Sequence, residues 1–108
     1  MTSSHAWTGK RVWIVGASSG IGAALAAELA RRGAQLALSA RSAQGLEAVA
    51  ADLAGQGHRV LPLDVTDAGA VAGAARTLAT EWGGIDAIVL GAAAYAPIYA
   101  RYRAAYGA

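Results

Sequence analysis

The segment Val12–Ala30, VWIVGASSGIGAALAAELA, constrains the fold more than any other part of the chain. Four apolar residues lead into Gly16, and an alanine-rich run follows Gly22. RVWIV has the β-branched character of a short buried strand. From Ile21 onward the apolar period changes, with Ile21, Leu25 and Leu29 at steps of four, as on one face of a helix. The segment therefore predicts strand, turn, helix. Gly16, Gly20 and Gly22 place G-x-x-x-G-x-G at the turn, where absent side chains let backbone amides and the helix N-terminus approach a pyrophosphate. No Lys-Ser or Lys-Thr follows these glycines, which excludes a Walker phosphate loop and its kinase or ATPase chemistry.

The same alternation continues along the chain. Arg31 and Arg32 suit the last turn of the first helix, and Gly33 a left-handed stop. AQLALSA reads as a second strand. Ser42 is placed to cap a second helix carrying Leu46, Val49, Ala50 and Leu53, closed at Gly55 and Gly57. HRVLPLDV supplies a third strand, with Pro62 marking a strand end or an irregularity. The following helix has Thr66 or Asp67 as N-cap, Val71, Ala75, Leu78 and Trp82 on one face, and Gly83 and Gly84 as terminators. IDAIVLGAAA lacks polar alternation, as expected of a strand covered on both faces of a parallel sheet. The order βαβαβαβ predicts an α/β, Rossmann-like doubly wound parallel sheet that stops after about four strands, with a ligand crevice beyond the carboxyl ends of the strands. A length of 108 residues fits a single domain over 1–108, with an N-terminal arm at 1–10 and a divergent tail at 95–108.

VGASSGIGAALA, SARS, LDVTD and IDAIVLGAA, in that order, resemble the N-terminal half of a short-chain dehydrogenase/reductase. The resemblance spans nearly Lys10 to Ala93. It implies that Gly16, Ser18, Ser19, Gly20, Ile21 and Gly22 surround a dinucleotide's phosphates. Asp64 and Val65 would hold the adenine, and Gly91, Ala92 and Ala93 would pass beside the adenosine ribose. At the end of the second strand an acidic side chain would accept from a ribose 2′-hydroxyl. Here Ala40 is apolar and Arg41 is able to pair with a 2′-phosphate, with Ser42 assisting, which favours NADP over NAD. Arg41 also fits a solvated charge after a strand, and Asp64 fits a turn acceptor before Thr66, a role compatible with adenine binding.

Two positions depart from the family pattern: Val15 stands where many relatives have Thr, and LGAA, Leu90 to Ala93, replaces NNAG or ANAG. The family's hydride transfer uses a Tyr as acid/base, a Lys lowering its pKa and a Ser holding the oxygen, all further along typical members. A tyrosine, with a pKa near 10, needs such a cation to act as a base at neutral pH. The sequence has one lysine, Lys10, before the first strand and at the wrong end of the sheet. YARYR, Tyr99 to Arg103, offers an arginine that stays protonated and comes too early to be the catalytic pair. No catalytic residue is assigned.

Tyr95, Tyr99, Tyr102 and Tyr106 recur at helical spacing and fit packing or an interface. The net charge of +2 comes from scattered cations, which argues against nucleic acid. His5 and His58 stand alone, so no metal site is expected. Absent cysteine, secretory h-region and long apolar span fit a cytoplasmic protein outside membranes. Three functions remain open: the NADP-binding half of an oxidoreductase acting on a carbonyl or alcohol, a non-enzymatic dinucleotide-binding or assembly module, and a truncated gene product. The exposed fourth strand is the expected surface for a second copy or a partner chain.

Overall fold

The computed structural model describes residues 6–18 and 20–90. Along them run β1 (Arg11–Val15), α1 (Gly20–Arg31), β2 (Gln35–Ser39), α2 (Ala43–Ala51), β3 (Arg59–Val60), α3 (Ala68–Trp82) and β4 (Ala87–Leu90). The strands form one parallel sheet in the order β3-β2-β1-β4. The chain adds β2 and β3 to one side of β1, then crosses back to lay β4 on the other, which is the expected doubly wound α/β topology.

Alternation along the central strands feeds two cores. Val12, Ile14, Leu36 and Leu38 pack with Ala26, Leu29 and Ala30 of α1 and with Leu46 of α2. Trp13, Val15 and Ala37 face the other way, onto Leu78 of α3, with Val71, Ala75 and Trp82 beside it. The α3 face expected from spacing is thus the face that packs. The expected α1 stripe needs correction. Its buried residues are Gly22, Ala26, Leu29 and Ala30, while Ile21 is 82% exposed. Mostly small side chains lie against the sheet, and the roughly 100° step per residue turns Ile21 outward.

Each helix ends by a local device. After α1, Gly33 takes φ +93°, its amide donates to the Ala30 carbonyl, and the Ala34 amide reaches back to the Leu29 carbonyl. This is a Schellman ending, and buried Leu29 and Ala34 join the same core. Ser42 caps α2, as expected, with its hydroxyl accepting from the Gly45 amide at 2.9 Å. That helix closes earlier than Gly55: the Asp52 and Leu53 amides bond three residues back, to Val49 and Ala50, tightening the last turn. Of the two candidate caps for α3, Asp67 is the one used, accepting from the Ala70 amide.

Pro62 ends the regular part of β3 without ending its attachment. The Leu61 amide donates to the Leu38 carbonyl at 2.8 Å and the Leu63 amide to the Ala40 carbonyl at 2.9 Å. Pro62 falls between these donors, at the position whose amide would face away from β2, so its missing N–H costs the sheet nothing there. His58, expected at the surface, is half-buried and structural. Its Nδ1 accepts from the Leu36 amide at 3.1 Å and its Nε2 lies 2.6 Å from the Ala54 carbonyl, which fixes the proton on Nε2. β4 is an outer strand among the described residues, and Ile88 is 56% exposed. Its apolar sequence therefore belongs to a strand only partly covered here.

The amino ends of β1 and β4 are tied by Arg11. Its backbone amide and Nε both donate to Asp86 Oδ2, at 2.8 and 3.2 Å, and its guanidinium reaches the Trp82 carbonyl at 2.7 Å, at the end of α3. The Arg11 amide and then its side chain hold the Asp86 carboxyl below the ordinary carboxylate range. A depressed carboxyl contributes stability above its unfolded pKa, and that contribution disappears as pH falls through the folded value. Asp86→Asn is therefore expected to lower the urea midpoint at neutral pH, with the difference from wild type closing as pH drops below about 4. Midpoints measured across that range check it; a constant difference down to about pH 2 would contradict the assignment.

Candidate functional site

The site is built where β1 meets β2. The Ser39 carbonyl, at the end of β2, accepts from the Gly16 amide at 2.7 Å and from the Ala17 amide at 3.2 Å. The Ser39 side chain is fully buried, and its hydroxyl accepts from Trp13 Nε1 at 2.8 Å. Thus β2 grips both the start of the glycine-rich turn and the strand leading into it. Because the Gly16 and Ala17 amides are already engaged, any donors to an anion come from later in the turn and from the first turn of α1, whose amides lack intrahelical partners.

The three glycines have different jobs. Gly16 and Gly20 take φ of +94° and +63°, which L side chains disfavour. Among the described residues, a Cβ at Gly20 would meet nothing within 4 Å. A Cβ at Gly22 would collide with the Gly16 carbonyl oxygen and come within 3.2 Å of Ala17 Cα. Gly22 therefore sets how closely α1 approaches the turn.

The neighbouring segments close around this turn. Ser18 is half-buried beside the first turn of α2, where a Cβ at Gly45 would come within 3.1 Å of both Ser18 Cβ and Ser42 Oγ. Arg41 follows buried Ala40, its side chain 77% exposed and its Nε 3.8 Å from Asp64 Oδ1. Asp64 Oδ1 also accepts from the Thr66 amide at 2.9 Å and from its hydroxyl at 2.6 Å. These bonds, the hydroxyl first, lower the Asp64 carboxyl below its ordinary range, with Arg41 adding a smaller share. The turn role expected of Asp64 is thus present. Val65 is half-buried against the α3 side of the sheet.

Gly16, Ser18, Gly20, Ile21, Gly22, Arg41, Ser42, Asp64 and Val65 thus cluster at the carboxyl ends of β1, β2 and β3. Ser19, Gly91, Ala92 and Ala93 lie outside the described residues. Lys10 precedes β1, at the opposite end. Ser39 and Gly45 escaped the sequence reading. Gly45 had a signal, a lone glycine inside a helical pattern, which often marks close packing. Ser39 had none, since its partner is 26 residues away. Among the described residues no group of three or more His, Cys, Asp or Glu is arranged to hold a metal, and no helix is long and apolar enough to cross a membrane.

A parallel sheet whose order reverses beside β1, with a glycine-rich turn feeding a helix at that point, is the doubly wound α/β architecture. The short chain dehydrogenase family model matches residues 10–102, and the chain belongs to that family. It is 46% identical over 83 residues to D-threitol dehydrogenase of Mycolicibacterium smegmatis, covering 75% of this chain and 32% of that protein. Dehydrogenase/reductase SDR family member 7 of Mus musculus is 41% identical over 98 residues, covering 77% and 29% respectively. Among solved structures, a short-chain type dehydrogenase/reductase from Mycobacterium marinum superposes with a TM-score of 0.70 at 40% identity, covering 81% of this chain and 36% of that one. YwfH, an NADPH-dependent reductase involved in bacilysin biosynthesis, gives 0.70 at 28% identity, covering 75% and 36%. The chain thus spans about a third of the length of the curated relatives it matches.

Gly22→Ala sets two effects against each other. Alanine favours a helix interior by about 1 kcal/mol, but its methyl would force α1 away from the Gly16 carbonyl, at a typical overpacking cost of about 1–3 kcal/mol. The contact is backbone on backbone, with no flexible side chain to yield, so net destabilisation is expected. Urea denaturation measures it; a variant as stable as wild type would mean that α1 is not seated this closely.

Proposed function

We propose that this chain forms the dinucleotide-binding half of a short-chain oxidoreductase acting on a carbonyl or alcohol, and that it takes NADPH in preference to NADH. The observation that carries the cofactor choice is Arg41. Its exposed guanidinium stands just past β2, after an apolar, buried Ala40, where an acidic side chain would be needed to accept from a ribose 2′-hydroxyl. Similarity to an NADPH-dependent reductase supports the same preference.

In this reading the first-turn amides of α1, with Ser18, Ser19 and Gly20, hold the diphosphate at the positive end of the helix. Exposed Ile21 gives the bound dinucleotide an apolar flank. Arg41, assisted by Ser42, holds the 2′-phosphate, while Asp64 and Val65 border the adenine and Gly91 to Ala93 the adenosine ribose. The nicotinamide, when bound, supplies the hydride donor or acceptor. The catalytic Ser, Tyr and Lys are not assigned in this chain, whose single lysine lies at the far end of the sheet. Residues 1–108 act as one domain in a cytoplasmic setting, a reading supported by two cores that share β1 and β2 and by the absence of cysteine.

Fluorescence titration of the purified chain with NADPH and NADH tests this function. NADPH is expected to bind more tightly, and Arg41→Ala to remove most of the preference, a loss of about tenfold for one charge-assisted pair. Identical curves for the two cofactors before and after the substitution would refute the assignment.

The outer edge of β4 is proposed as the surface that takes up further polypeptide, a second copy or a partner chain, because exposed Ile88 lies on an apolar strand that is outermost among the described residues. Sedimentation is expected to reveal concentration-dependent association that Ile88→Lys weakens. Association unaffected by that change would place the contact elsewhere.

A further inference from the structure

We propose that Asp64 competes with the cofactor's 2′-phosphate for Arg41, and thereby sets how strongly the chain discriminates NADPH from NADH. This rests on the NADPH reading above. The juxtaposition comes from the backbone. The Leu63 amide donates to the Ala40 carbonyl at 2.9 Å, locking the segments after β2 and β3 side by side. The next residue on each segment is Arg41 and Asp64, so a cation and an anion emerge together at the rim of the site.

The two partners are held unequally. Asp64 is anchored, because its Oδ1 takes both the amide and the hydroxyl of Thr66. Arg41 is held by one contact of 3.8 Å, longer than a hydrogen bond, on a side chain that is 77% exposed. Such a pair contributes little stability and exchanges readily for a better anion. A phosphate offers several oxygens in the geometry a guanidinium prefers, whereas a ribose hydroxyl offers no charge. Asp64 thus opposes the 2′-phosphate twice, by sharing its cation and by presenting a fixed like charge. Neither effect acts on the 2′-hydroxyl of NADH.

The test uses Asp64→Asn, which keeps an acceptor oxygen for Thr66 while removing the charge. Dissociation constants for NADPH and NADH are measured for wild type, Asp64→Asn, Arg41→Ala and the double variant. A lost adenine contact affects both cofactors alike and cancels in their ratio. The preference for NADPH is expected to rise about threefold in Asp64→Asn, chiefly because an exposed ion pair of this kind no longer holds Arg41. That rise should shrink markedly when Arg41 is absent. An unchanged or reduced preference, or an equal rise with and without Arg41, would overturn the proposal.

A cofactor-free measurement runs alongside. Carbon NMR of the Asp64 carboxyl is expected to show a higher titration midpoint in Arg41→Ala, because a favourable neighbouring cation is gone. An unmoved midpoint means that the pair does not form in solution and also overturns the proposal. A chain that binds neither dinucleotide refutes the proposed function together with this inference; a preference for NADPH that Asp64→Asn leaves unchanged refutes this inference alone.

Discussion

The Ser39 carbonyl, bonded to the Gly16 and Ala17 amides, is the contact on which the rest of the architecture turns. It makes β2 the template for the bend that follows β1, so the turn is held from outside rather than by its own side chains. The buried Trp13–Ser39 hydrogen bond reinforces it from the α3 side of the sheet. Without these bonds the turn amides would need other partners, since an unpaired buried amide costs about 1–3 kcal/mol. With them, the direction in which α1 leaves the sheet is fixed.

The two ends of the sheet are finished differently. At the amino ends of β1 and β4, Arg11 joins Asp86 to the Trp82 carbonyl at the end of α3. At the carboxyl ends the guanidinium of Arg41 is exposed, 3.8 Å from Asp64 Oδ1. Charge that stabilises the fold is internally paired at one end, while at the other it is weakly paired and open to exchange. This asymmetry supports the binding site proposed at the carboxyl edge.

Much of this was legible in the residues. The change of apolar period from Ile21 onward, the cap at Ser42, a cap at Thr66 or Asp67, and the stops at Gly33 and Gly83 are local events, governed by steric and hydrogen-bonding rules within a few residues. The readings that needed revision share a different cause. Ile21 fits a helical stripe with Leu25 and Leu29, yet close seating of Gly22 on Gly16 rotates the stripe away from Ile21. His58 reads as a surface histidine until the Leu36 amide, 22 positions away, is found bonded to its ring.

By itself the sequence determined the alternation of strands and helices, the polarity of the helix ends and the family to which the chain belongs, because each rests on short-range pattern and on motifs in a fixed order. Tertiary structure decided which face of α1 is buried, that Ser39 braces the glycine-rich turn, and that Arg41 emerges beside Asp64. Those outcomes depend on the pairing of β2 with β1 and β3, which brings together groups from 22 to 26 positions apart, as in the Leu36–His58 and Trp13–Ser39 bonds. No local rule specifies such meetings; the parallel register does, by setting which residues stand side by side.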